Sequence, residues 1–384
     1  MNTAGIYIHI PFCVRKCGYC DFLSAPSDDM VQYRYAECVA DEIRQFVRAA
    51  GGPGKMPIVD TIFLGGGTPS ILPLAGLEQI VAALTDTFTI LENVEFTIEC
   101  NPGTADREKF DAYRGLGMNR LSLGMQSAVD QELKNLGRIH TCSDAIEAFY
   151  MAREAGFENI NIDLMSAIPG QTMESCRFTL QQAVSMGPEH LSAYSLIVEE
   201  DTPFYERYYN DPPVDEDTDR AMYYMTRDVL RDSGYERYEI SNYARKGFAC
   251  RHNMKYWSGG DYIGFGLGAS SKIGGTRYKN ETELVRYMAQ IRQEKPVRAV
   301  EEILGISDEM SEFFVLGLRK TSGVSRAEFR RRFSVDMNKI YGDCIERSVK
   351  EGLLTIDGDR VRFTDRGLDV SNYVLCRFIE KFIL

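Results

Sequence analysis

No stretch of this 384-residue sequence approaches 18 consecutive apolar residues, so nothing in it reads as a membrane-spanning helix. Positive charge is also in short supply. Lys and Arg number 44 against 56 Asp and Glu, a net charge of -12, and the sequence pI is near 5.0. Such a chain is a poor partner for a phosphate backbone, and nucleic acid is not expected among its ligands. The opening residues Met1 to Gly5 lack the basic and apolar regions of a signal peptide and lead into a strand-like run, so a cytoplasmic protein is expected. Low-complexity segments are absent. Cysteine is sparse for the length, ten in all, and unevenly placed. Cys38, Cys100, Cys142, Cys176, Cys250, Cys344 and Cys376 are scattered, and each reads as core or surface filler. Cys13, Cys17 and Cys20 fall together. A reducing compartment argues against a disulfide framework and for metal ligation by that group of three.

What is present is a 44% hydrophobic chain, enough for one large core and a smaller appended domain. Short β-branched runs alternate with amphipathic segments. Strands are expected over Gly5–Ile10, Asp60–Leu64, Val94–Glu99, Arg120–Met125, Asn161–Met165 and His190–Val198. Helices are expected over Met30–Arg48, Leu74–Phe88, Ala105–Leu116, Ser143–Ala155, Met173–Met186 and Asp217–Ser233. Six strand-helix units in succession imply a parallel sheet with right-handed crossovers. Six rather than eight suggest an incomplete (β/α)6 barrel, an α/β fold open on one side. Regularity breaks from about Tyr238 to Val300. The remainder reads as helices and a hairpin turning at Asp357-Gly358-Asp359, the outline of a winged-helix-like α+β module. Arg330-Arg331-Arg332 is locally basic, but a solvated helix face explains it at least as well as DNA binding.

The unusual residues follow the strands. Pro11-Phe12-Cys13 comes after the first, Gly65-Gly66-Gly67-Thr68-Pro69 after the second, Glu99-Cys100-Asn101-Pro102 after the third and Gln126-Ser127 after the fourth. Asp163 belongs to the fifth. In parallel β/α folds the C-terminal strand ends build the active site. One shared site is the expectation.

Cys13, Cys17 and Cys20 have the spacing C-x3-C-x2-C. Three neighbouring thiolates can each hold one iron of a [4Fe-4S] cubane, leaving the fourth iron to an exogenous ligand. S-adenosylmethionine (SAM) can supply that ligand through its amino and carboxylate groups, and an electron from the cluster then cleaves its C5′–S bond. Structural zinc is the alternative, but it normally takes four ligands and the only nearby histidine, His9, sits inside a strand. Arg15 and Lys16 favour thiolates and an anionic cluster, or are exposed loop charges. The glycine run lets backbone approach a ligand without obstruction by Cβ and can offer carbonyls to an ammonium group. Glu99 and Asp163 suit ribose hydroxyls or the SAM ammonium, Gln126 suits adenosine, and Arg138 suits the methionine carboxylate.

Ile6–Phe22, Gly65–Ser70, Glu99–Pro102, Arg120–Ser127, Asn161–Thr172 and the C-terminal module together resemble the oxygen-independent coproporphyrinogen III oxidase family of radical SAM proteins, over nearly the whole chain. The resemblance implies a radical SAM barrel over residues 1–237, an irregular bridging segment over 238–300 and a winged-helix-like module over 301–384. It places Tyr7, Gly66, Gly67, Thr68, Glu99, Gln126, Arg138 and Asp163 on SAM-binding positions, and Tyr19 on an aromatic position that touches SAM. Two departures separate the chain from the oxidases. They carry a further cysteine two residues after the last ligand, where Phe22 stands here, and they have a longer extension before the first strand. Both departures match the HemW-like branch, which the resemblance implies is a heme chaperone passing heme to heme-dependent respiratory proteins. His252-Asn253-Met254-Lys255-Tyr256-Trp257 fits that branch's H-N-x-x-Y-W motif, associated with heme binding. An imidazole can ligate heme iron and aromatic rings can pack on a porphyrin, so His252 is the expected heme ligand, with Cys250 a softer alternative. Tyr256 and the sole tryptophan can equally be core. The same role accommodates a homodimer and loose attachment to a membrane surface. The rival reading is decarboxylation of coproporphyrinogen III by the deoxyadenosyl radical.

Overall fold

Six runs rich in Ile, Val and Leu fold as the parallel strands β1 (Thr3–Ile10), β2 (Ile58–Gly66), β3 (Ile90–Cys100), β4 (Arg120–Gln126), β5 (Ile160–Ser166) and β6 (His190–Ser195), paired in chain order. The computed structural model describes residues 3–380. Met1, Asn2 and residues 381–384, the extreme ends of the sequence-read barrel and module, lie outside the described residues. The crossover helices are Asp29–Ala49, Leu74–Thr87, Arg107–Gly115, Cys142–Glu154, Met173–Met186 and Glu216–Asp232. Asp28, Asp106, Thr141, Thr172 and Asp215 cap five of them by accepting backbone N–H bonds, which fixes where each loop over the strand ends must stop.

Side-chain alternation divides the sheet. Ile6, Ile8 and Ile10 of β1 and Ile62 and Leu64 of β2 join one apolar cluster with Tyr35, Val39 and Leu77 from the helices. Many of the positions facing the other way are polar: His9, Thr61, Glu95, Glu99, Arg120, Asn161, Asp163 and His190. Residues in or just after all six strands line one common cavity, so the sheet curves as the incomplete barrel requires.

Residues 238–300, expected as an irregular bridge, are regular structure. β8 (Asn242–Ala244), with the short β7 (Glu236–Arg237) outside it, pairs antiparallel to β6. β9 (Tyr262–Phe265) pairs parallel to β1 and is followed outward by β10 (Ser270–Ile273), β11 (Thr276–Asn280) and β12 (Arg298–Ile303). The stretch therefore extends both edges of one 12-stranded sheet. Its glycines concealed this, since Gly266 and Gly268 adopt positive φ in the tight turn between β9 and β10. Helix Arg251–Trp257 runs between β8 and β9 and packs inside the curve, where Lys255 pairs with Asp60 at 2.9 Å.

The C-terminal part has its own core around Phe314, Phe329, Tyr341 and Phe378. β13 (Val324–Ser325), β14 (Leu354–Asp357) and β15 (Arg360–Phe363) form a three-stranded sheet in the order β13-β15-β14, beside helices Ile306–Gly317, Arg326–Phe333 and Met337–Lys350. Arg330, Arg331 and Arg332 pair with Asp336, Glu328 and Glu309 respectively, which matches a neutralised helix face.

Candidate functional site

The cavity at the strand ends measures 470 Å³ and is lined by Cys13, Cys17, Tyr19, Cys20, Gly66, Gly67, Thr68, Glu99, Gln126, Arg138 and Asp163. These residues are spread over 150 positions of sequence, and parallel pairing of β1 through β5 brings them together. All three cysteines are free and partly exposed. Among the described residues no three His, Cys, Asp or Glu side chains converge for a single metal ion. A cubane asks for a different arrangement, one thiolate per iron.

Close approach is built into the backbone. A Cβ on Gly67 would lie 2.5 Å from the Phe12 carbonyl oxygen and 3.0 Å from Cys13 Sγ, so only glycine lets β2 reach the cysteine loop. The Gly66 N–H donates to Glu99 Oε2 at 3.1 Å and the Gly67 N–H to the Ile10 carbonyl at 2.8 Å. Neither N–H is therefore offered to a ligand. Gln126 holds a left-handed conformation, φ 65°, uncommon for a residue with a side chain. Its amide oxygen accepts from the Tyr194 hydroxyl at 3.3 Å.

The electrostatics favour a cationic guest. Burial first and the neighbouring Asp163 second push the Glu99 carboxyl up to about 8, against the opposing Gly66 N–H and Arg120. Asp163 is likewise raised by burial, against hydrogen bonds from Asn161, Ser192 and Ser122. Two carboxyls sharing one low-dielectric wall are costly to ionise together, and an ammonium or sulfonium between them relieves that cost. That donor set fits SAM. Arg138 also lines the cavity, but much of its guanidinium is engaged. Nη2 donates to Asn101 Oδ1 at 2.7 Å and to the Gly124 carbonyl at 2.6 Å, and Nη1 lies 3.9 Å from Cys17 Sγ. Nε has no hydrogen-bond partner among the described residues.

Two expected site residues stand elsewhere. Tyr7 does not line the cavity, and its hydroxyl meets His9 Nδ1 at 3.0 Å, while His9 Nε2 meets the Leu23 carbonyl at 2.9 Å. His252, expected as the heme ligand, is buried under the cavity floor with both ring nitrogens engaged. Nδ1 meets Thr61 Oγ1 at 2.9 Å and Nε2 meets the Tyr256 hydroxyl at 2.8 Å. Burial, with Lys255 and Arg120 nearby, lowers its pKa to about 3. The reason is the helix's position: Glu95 accepts the backbone N–H groups of Arg251 and His252, both at 2.9 Å, and so seats Arg251–Trp257 inside the barrel. Trp257 faces the C-terminal part, with the Arg319 guanidinium 4.4 Å above its ring. Cys250 is buried against Glu95. Of the motif only Asn253 reaches the cavity. The other three histidines, His9, His140 and His190, are also buried. In this conformation every imidazole of the chain faces inward.

Several lining residues escaped sequence reading. Ser192 and Tyr194 follow the period-2 alternation of β6 and could have been found from it; Asn253 depends on where its helix docks and could not.

The model of the Radical SAM superfamily matches residues 7–183, and that of the HemN C-terminal domain matches residues 307–370. The heme chaperone HemW of Lactococcus lactis subsp. lactis is 36% identical over 98% of this chain and 97% of its own length. The heme chaperone HemW of Bacillus subtilis is 34% identical over 98% of this chain and 99% of its own. Among solved structures, the radical SAM enzyme coproporphyrinogen III oxidase (HemN) from Escherichia coli matches with a TM-score of 0.87 over 100% of this chain and 91% of that one, at 22% identity, a likeness of fold.

Proposed function

Because this chain belongs to the HemW heme chaperone family within the radical SAM superfamily, we propose that it binds heme and passes it to heme-dependent respiratory proteins in the cytoplasm. The observation that carries this reading is identity above 30% over nearly the full length of relatives bearing that name. Phe22, standing where the oxidases have a further cysteine, agrees with it. Loose membrane attachment and self-association are compatible with delivery to respiratory proteins. Among the described residues no helix is long and apolar enough to cross a membrane.

The radical SAM domain takes a [4Fe-4S] cluster and SAM. In this reading Cys13, Cys17 and Cys20 hold the cluster, and Tyr19, Gly66, Gly67, Thr68, Glu99, Gln126 and Asp163 enclose SAM. When bound, that pair supplies one-electron reductive cleavage of a sulfonium. Glu99 and Asp163 neutralise the ligand's positive charge. Gln126, held in its left-handed conformation, turns its amide toward the cavity instead of continuing the strand. The cavity volume suits one SAM-sized ligand. Heme therefore has to be met outside the filled cavity, without an axial imidazole in this conformation. Phe22 and Ile197 line the cavity yet are 58% and 67% exposed, which provides apolar surface at its mouth.

The test is an anaerobic heme titration of cluster-reconstituted protein, followed by mixing with a heme-free acceptor protein. Saturable binding and transfer to the acceptor are expected. Failure to bind heme, with decarboxylation of coproporphyrinogen III in a parallel assay, would replace this reading with the oxidase one.

A further inference from the structure

Two of the three cysteines assigned to the cluster are tied together by one unbroken line of side chains. Thr68 Oγ1 lies 3.5 Å from Cys13 Sγ, Asn101 Nδ2 donates to Thr68 Oγ1 at 2.8 Å, Arg138 Nη2 donates to Asn101 Oδ1 at 2.7 Å, and Arg138 Nη1 lies 3.9 Å from Cys17 Sγ. The line starts on the loop after β1, crosses the loops after β2 and β3, and returns through the segment after β4.

Its polarity is determined from one end. Guanidinium donates only, so the oxygen of the Asn101 amide must face Arg138 and its NH₂ must face Thr68. Thr68 Oγ1 then accepts from Asn101, which leaves its own hydrogen to point at Cys13 Sγ. Both ends of the line therefore donate to sulfur. Asparagine is the residue this requires, because it pairs one acceptor with one donor across a short side chain. Aspartate has the same shape but no donor, and it would draw the Thr68 hydroxyl away from Cys13.

A separate observation shows that space is kept for this arrangement. A Cβ on Gly124 would lie 2.7 Å from Arg138 Nη2 and 2.8 Å from Asn101 Oδ1. Gly124 sits in β4 with no positive φ, so its small size, rather than its backbone freedom, is what the site uses.

We propose that Asn101 is a positioning residue that, through Thr68 and Arg138, directs two hydrogen-bond donors at the Cys13 and Cys17 thiolates and thereby sets the reduction potential of the cluster. The inference rests on the reading of Cys13, Cys17 and Cys20 as cluster ligands. Donors and positive charge at ligating sulfur favour the reduced cluster, which carries one more negative charge, and hydrogen bonding to sulfur is an established determinant of such potentials. Arg138 is accordingly a donor to sulfur and to Asn101 before it is a partner for the SAM carboxylate.

The experiment is an anaerobic redox titration of the reconstituted full chain, followed by electron paramagnetic resonance, with iron and sulfide content determined on each sample. Asn101→Asp and Thr68→Val are compared with wild type, the second removing only the Cys13 end of the line. Both should bind a full cluster whose potential is lower. At a fixed potential the ratio of reduced to oxidised cluster is expected to fall about tenfold or more in Asn101→Asp, equivalent to ~59 mV for one electron, and by less in Thr68→Val. Gly124→Ala should shift in the same direction. Fully loaded variants with the wild-type midpoint would overturn the proposal. If Asn101→Asp fails to hold a cluster, Thr68→Val decides alone. Wild-type protein that takes up no cluster would instead refute the assignment of the cysteines.

Discussion

Replacing His252 by alanine separates a buried structural imidazole from a heme ligand. The ring stands 5.4 Å from Phe63 and 4.9 Å from Tyr256 between centroids, and its two nitrogens satisfy the hydroxyls of Thr61 and Tyr256. Removing it leaves two enclosed hydroxyls without their partner, at about 1–3 kcal/mol each. It also opens a void beneath the site. A total loss of roughly 3–5 kcal/mol is expected, within the usual range for truncating a large buried ring. Urea unfolding gives the stability. A heme titration in buffer, far from the unfolding transition, gives the ligation. The expected result is a much lower urea midpoint with the heme absorption spectrum and stoichiometry of wild type. Unchanged stability with a lost or altered heme spectrum would refute the reasoning, since it would mean that the imidazole is exposed to heme. The pH dependence offers a second check. The folded pKa of about 3 lies below the unfolded value, about 6.5, so the unfolded chain binds more protons between them. This group's contribution is therefore present above about pH 6.5 and is lost as pH falls toward 3. His252→Phe should flatten that part of the stability profile.

Three further outcomes are expected. Glu99, raised to about 8, keeps its proton at neutral pH in the ligand-free protein, so SAM affinity measured by calorimetry should rise from pH 6.5 to 8.5. Glu99→Gln should bind weakly with that rise removed, and a wild-type slope in the variant would discount Glu99 as the titrating group. The sign for stability is the reverse: the folded pKa exceeds the unfolded one, so the contribution is complete below about pH 4.3 and disappears as pH rises through 8. Gln126→Gly removes a left-handed non-glycine residue, worth about 1 kcal/mol of strain, and should leave stability equal or higher while weakening SAM binding; a clear loss of stability would show that the side chain matters more to packing than to the ligand. Arg120 is 2% exposed near Glu95, Asp163 and Cys250, and Arg120→Leu should destabilise the fold by about 3–5 kcal/mol by leaving buried carboxylates uncompensated. Thermal unfolding of the variant within a few tenths of a degree of wild type would rule that out.

Local pattern alone determined much of this protein. Runs such as Ile6–Ile10 and Arg120–Gln126 are strands because their side chains suit a sheet buried on both faces, and Thr141 and Thr172 start helices because their hydroxyls satisfy free N–H groups within three residues. The C-x3-C-x2-C spacing is equally local, and parallel topology requires that it meet the glycine loop, Glu99 and Asp163 at one end of the sheet. What tertiary structure decided is the fate of residues whose partners lie far away in sequence. His252 carries the chemistry of a metal ligand, but Glu95, 157 positions earlier, seats its helix inside the barrel and commits both ring nitrogens. Gly266 and Gly268 look like loop and lie in the turn of a sheet extension, because β9 gains its pairing from β1 and β10 from β9 rather than from their own composition. Asn101 is one polar residue among many until Thr68 and Arg138 arrive on either side of it, since a hydrogen-bonded line through three loops exists only once the strands have aligned.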